Sequence, residues 1–91
     1  MARIDLPDAA GSVVASIDNQ PGKQGSVAVY QYLKAMFGTL DARAAKHGLA
    51  VFTEHTADAR RRPGGHPNVD RLLDIAAGGA TLDIVVIAAS Q

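Results

Sequence analysis

The run EHTADARRRPGGHPNVD, residues 54 to 70, gathers most of the side chains in this sequence that can move a proton or hold a ligand. They are Glu54, His55, Asp58, His66, Asn68 and Asp70. His55 and Asp58 stand three apart and are neighbours on one helix face, the spacing of a carboxylate-oriented imidazole or of two metal ligands. His66 lies in a loop that turns back toward that helix, so the two histidines can converge. No HExxH or comparable metal-ligand spacing is present. A plainer account also exists. His55 can join an apolar helix face as a core histidine, and Asp58 can pair with Arg62 four residues on for about 0.3–0.5 kcal/mol.

A second candidate lies in NQPGKQGSVAVYQYL, residues 19 to 33. Lys23, Gly25 and Ser26 precede an amphipathic run, and backbone N–H groups at a helix start beside glycine and lysine can cradle an anion. The spacing matches neither the phosphate-binding Walker loop nor the dinucleotide fingerprint. A Pro-Gly turn followed by a Ser26 N-cap explains the same residues without a ligand. Arg60, Arg61 and Arg62 admit a phosphate patch, yet three cations at a helix C-terminus are also what the helix dipole favours. Ser12, Ser16, Ser26 and Ser90 show no nucleophile-elbow setting.

The bulk composition removes several function classes. Nine basic and nine acidic side chains cancel, and general nucleic-acid binding normally requires a basic excess. The absence of cysteine excludes disulfides, thiolate metal sites and cysteine nucleophiles. The start MARIDLPDAAGS lacks the apolar core of a signal peptide. The longest apolar run, IVVIAA, is of strand length and cannot span a membrane. A cytoplasmic location in a bacterium is the expectation, with no nucleic-acid partner, no membrane partner and no cofactor.

The elements that must position these residues follow from periodicity. RIDL and VVASID alternate apolar and polar residues, so the first 18 residues read as a β-hairpin across PDAAGS. Val29, Leu33, Met36 and Phe37 fall at helical spacing, with Lys34 in the last turn and Gly38 as terminator. Thr39 reads as the next N-cap. A strand at LAVFTEH after a stop at Gly48 is one option. However, Ala45, Gly48, Leu49, Phe52, His55, Thr56 and Ala59 share one helical face, which predicts a single helix from about Leu40 to Arg61. Gly48 then marks a close helix crossing, at roughly 1 kcal/mol for an interior glycine. RPGGHPN ends that helix. Asn68 caps a short third helix with Val69, Leu72, Leu73 and Ala76 inward, and Gly78-Gly79 stops it. TLDIVVIAA closes the sequence as a strand, apolar on both faces after Asp83, and so either central or buried along one edge at a dimer contact. The expected fold is a single α+β domain over residues 1–91: an N-terminal hairpin, two or three helices and a C-terminal strand, giving a three-stranded sheet with helices on one face.

Three blocks, NQPGKQGSVAVY, GLAVFTEHTADAR and HPNVDRLLDI, occur in that order. They resemble a proteobacterial family catalogued as domain of unknown function 2322, over about residues 13 to 75. The resemblance implies a small bacterial cytosolic protein standing alone and assigns no residue a role. Two functions follow as expectations. The first is a non-enzymatic binding or regulatory module that self-associates or meets a protein partner, because a three-stranded sheet hardly buries so apolar a last strand. The second is a small anion- or metal-binding protein or enzyme. Its site uses His55, Asp58, His66, Asn68 and Asp70, with Lys23 or an arginine holding an anionic group.

Overall fold

The structure, a computed structural model, describes residues 1–89; Ser90 lies outside the described residues. It contains β1 (Arg3–Pro7), β2 (Val13–Asp18), α1 (Gln24–Phe37), α2 (Ala42–Phe52), α3 (Glu54–Arg61), α4 (Pro67–Ala76) and β3 (Val85–Ile87). The three strands form one antiparallel sheet in the order β2-β1-β3. The expected α+β class is therefore the observed one.

β1 and β2 form the expected hairpin, with Ile4 opposite Ile17 and Leu6 opposite Ala15. The loop is tied by Asp8, whose Oδ1 accepts from the N–H groups of Ala10 and Ser12, both at 3.0 Å. Ile4, Leu6 and Ile17 are buried on the face covered by helices. The opposite face carries Arg3, Asp5, Ser16 and Asp18. There, Arg3 Nε donates to Asp5 Oδ1 at 2.9 Å, and Ser16 Oγ donates to the same oxygen at 2.8 Å. Alternation in the sequence thus became two faces of different chemistry.

α1 lies over β1 and β2 and buries Val27, Tyr30 and Leu33. It ends as expected: Gly38 adopts φ 75°, and its N–H donates to the Lys34 carbonyl at 2.9 Å. Its start differs from expectation. Ser26 is not the N-cap, because the turn closed by Lys23 N–H on the Gln20 carbonyl already sets the chain into helix. The Lys23 carbonyl then accepts the first intrahelical bond, from Val27. At α2 the cap is Asp41, whose Oδ1 accepts from Ala44 N–H at 2.9 Å, while Thr39 Oγ1 instead donates to the Leu82 carbonyl at 3.1 Å. At α4 the cap position is His66, with Pro67 opening the helix and Asn68 one step inside it. A proline suits that first position because its missing N–H would have had no partner there.

Gly48 does mark a close crossing. A Cβ there would stand 2.8 Å from Leu72 Cδ1 and 2.9 Å from Leu33 Cδ1, so α2 meets both α1 and α4 at this point. The expected single helix over 40–61 is corrected, and the break is not at Gly48. It falls at Thr53, which has φ 48° and ψ −108° and separates α2 from α3, so the described residues hold four helices. Phe52, Thr56 and Ala59 remain buried across the break, and Thr56 Oγ1 donates to the Leu49 carbonyl at 2.7 Å. His55, in contrast, is exposed and is not a core histidine.

The last strand is shorter than TLDIVVIAA suggests and is not central. Leu82 leaves the sheet to bridge Leu40, Ile84 is buried, Asp83 N–H donates to the Pro7 carbonyl at 2.8 Å, and the strand proper is Val85–Ile87, paired with Arg3–Asp5 of β1. β1 has neighbours on both sides, which leaves β3 at an edge.

Candidate functional site

A cavity of about 770 Å³ opens between the start of α1, the α2–α3 break and the start of α4. α1 brings Lys23, Gly25 and Ser26 to it; the break brings Thr53, Glu54 and His55; α4 and its preceding loop bring His66 and Asn68. Val29, Val51, Phe52 and Val69 form its apolar wall. The two stretches singled out in the sequence therefore meet around one space.

Three helices begin at this cavity, and each begins without a side-chain cap: α1 at Lys23, α3 at Thr53, α4 at His66. α2, whose start lies elsewhere, is capped by Asp41. First-turn N–H groups have no carbonyl one turn earlier to bond, so uncapped starts look to water or a ligand for an acceptor. Each start also carries the partial positive end of a helix dipole. α1 offers its first-turn N–H groups most fully, whereas α4 opens on Pro67, which has none, and the Thr56 and Val69 N–H groups bond the Thr53 and His66 carbonyls.

The His55 and His66 ring centroids are 5.6 Å apart and their planes are inclined by 59°. Behind them, His66 Nε2 donates to Asp58 Oδ2 at 2.6 Å. The same carboxylate accepts from Arg62, and Arg61 Nη2 reaches its other oxygen at 3.4 Å. The Arg62 guanidinium, followed by the bond from His66, holds the Asp58 carboxyl well below the ordinary carboxylate range. An ionised Asp58 fixes the His66 ring in place, and a ring that donates through Nε2 keeps Nδ1 for a second partner.

Asp58 and Asp70 do not line the cavity. Asp70 Oδ2 accepts from the Gly64 N–H at 2.9 Å and so closes the loop that carries His66. Asn68 is used twice in support: its carbonyl accepts from Tyr30 Oη at 2.6 Å, and its Oδ1 accepts from Arg71 Nη1 at 3.1 Å. Arg71 Nη1 also donates to Tyr30 Oη at 3.0 Å. Burial pushes the Tyr30 hydroxyl up from its ordinary value, against the lowering effect of Arg71. These contacts lock the α4 start onto α1. Among the described residues, no group of three or more His, Asp or Glu is gathered to hold a metal ion.

Two contributors escaped the sequence reading. Tyr30 looks like one more apolar residue on the α1 stripe, and its hydroxyl contact with Asn68 is a tertiary fact. Thr53 carries no local signal at all, since the apolar spacing runs unbroken through it.

The chain is a small α+β protein with a cavity at which three of its helices begin. The particular family follows from the sequence: over residues 1–86 the chain matches the family described as "Uncharacterized protein conserved in bacteria (DUF2322)", and it belongs to that family. No curated protein and no solved structure matches it. Among the described residues, no helix is long and apolar enough to cross a membrane.

Proposed function

We propose that this chain is a binding protein that takes a small organic anion in the cavity between α1, α3 and α4. The reading rests on one observation: three helix starts without side-chain caps converge on the cavity, whereas the one helix that starts elsewhere is capped. Lys23 adds a full positive charge at the α1 start, and the His66 ring, held by Asp58, adds a directed polar group. The volume lies within the roughly 300–1,000 Å³ typical of small-molecule sites. Val29, Val51 and Val69 suit an apolar body, and Glu54 offers an acceptor to a donor elsewhere on the ligand. An acidic group against the helix starts, with an apolar body behind it, is the chemistry that this arrangement recognises.

The test is an NMR titration of the full chain with inorganic phosphate and with adenosine monophosphate, a small anion and an organic one. The expected result is saturable amide shifts at Gln24–Val27, His55 and Asn68, with shifts of the His55 and His66 ring protons. Lys23→Ala should weaken binding about threefold, consistent with an exposed ion pair worth about 0.2–1 kcal/mol. A panel without local shifts, or shifts confined to another surface, overturns the reading.

A further inference from the structure

Reversible binding leaves one nucleophile of the cavity unused, the imidazole of His66. His66 holds the N-cap position of α4, and its side chain, 27% exposed, lines the cavity. Its ring is bonded at Nε2, to Asp58 Oδ2 at 2.6 Å. Asp58 also accepts from Arg61 and Arg62, so it is a carboxylate and not a carboxylic acid. A carboxylate can only accept, so Nε2 carries the ring proton and the neutral ring keeps its lone pair on Nδ1. Among the described residues Nδ1 makes no hydrogen bond, not even the capping bond to the α4 first turn that its position allows. The other two histidines are placed differently. His47 Nε2 meets the Tyr32 hydroxyl at 2.9 Å, and His55 is exposed and rests against the His66 ring.

We propose that His66 accepts a phosphoryl group on Nδ1 from a donor of the acyl phosphate class. In this role, which rests on the anion site proposed above, the cavity holds the transferred group covalently. The Nδ1 lone pair attacks phosphorus and an N–P bond forms. The P–O bond to the acyl group breaks, and the acyl carboxylate leaves with the electron pair. It leaves as an anion, so no proton has to move, and the Nε2 proton stays in its bond to Asp58. The positive charge that the ring gains is offset by the Asp58 carboxylate, the service that the aspartate of a Ser-His-Asp triad gives its imidazolium. The phosphoryl group itself arrives as an anion in a cavity whose wall carries Lys23 and the uncapped start of α1, and helix starts favour phosphate. The ring nitrogen used is diagnostic. An unconstrained imidazole reacts most readily at Nε2, which is remote from the side-chain stem. Here Nε2 is engaged with Asp58, so the product is the Nδ1 isomer.

The test is incubation of the full chain with acetyl phosphate at neutral pH, followed by intact mass, peptide mapping and phosphorus NMR. The expected product carries a single phosphoryl group on His66, stable in alkali and lost in acid, with couplings to the ring protons that identify Nδ1. His66 should react about tenfold faster than His55 or His47 of the same chain, a comparison that needs no variant to fold. Asp58→Asn should slow the transfer about tenfold or more, because an amide can donate to Nε2 and draw the lone pair there. No uptake, uptake spread evenly over the three histidines, or an Nε2 product overturns the proposal. Inorganic phosphate that shifts the cavity amides while acetyl phosphate transfers nothing overturns it and leaves the anion site standing. Silence in both experiments overturns the two together.

Discussion

Thr53 is held at a backbone conformation that β-branched residues rarely adopt, φ 48° and ψ −108°, on the wall of the cavity. Such a conformation costs of order 1–3 kcal/mol, whereas glycine would accept it at about 0.5–1 kcal/mol of added chain entropy. Strain is the larger quantity. Thr53→Gly should therefore stabilise the fold by about 1 kcal/mol in urea unfolding. Tyr30 is the opposite case, a buried side chain with both hydroxyl partners satisfied. Tyr30→Phe should cost about 1–2 kcal/mol, because it strips the Asn68 carbonyl of its donor. Asp58 sets a pH dependence. Its folded pKa lies below the unfolded value of about 3.9. Its contribution is thus complete above that value and is lost as pH falls through the depressed folded one. Asp58→Asn should flatten the acid limb of a stability-against-pH curve.

The crossing at Gly48 decides how the helices meet. Alanine would recover roughly 1 kcal/mol of helix propensity, but its Cβ would collide with the Leu33 and Leu72 methyls that fill the core. Overpacking costs about 1–3 kcal/mol, so Gly48→Ala should lower stability by about 1 kcal/mol, measured by thermal or urea unfolding. The hairpin, the end of α1 at Gly38 and the crossing at Gly48 were legible because alternation, a left-handed glycine and a small residue amid apolar ones are local signals. The break at Thr53 was not, because Phe52, Thr56 and Ala59 keep the buried face continuous and Thr56 bonds Leu49 across the gap. Periodicity records which residues face inward, and here that record survives the break between two helices. The helix starts were misread for a related reason. Ser26, Thr39 and Asn68 have capping chemistry, but the turns before α1 and α4 and the Asp41 side chain at α2 determine where each helix begins.

Across the whole molecule, the candidate site is legible as chemistry and illegible as a place. The sequence shows a lysine loop and a His/Asp cluster, and only the packing of α1 on α4 through Tyr30, Asn68 and Arg71 sets them around one cavity. An anion bound there reaches three helices and is bound only by the folded chain. A ligand at 100 times its dissociation constant should therefore add about 2.7 kcal/mol of stability, read as a rise in melting temperature.

The sheet order has one more consequence, for the way the chain folds as it is made. β1 pairs with β2, its neighbour in the chain, and with β3, which follows all four helices. At about 5–20 residues per second of synthesis, one flank of β1 waits on the order of ten seconds for its partner. During that interval the nascent hairpin offers a bare flank to whatever strand is near. A ribosome that stalls within the four helices would present the same bare flank for as long as it stalls.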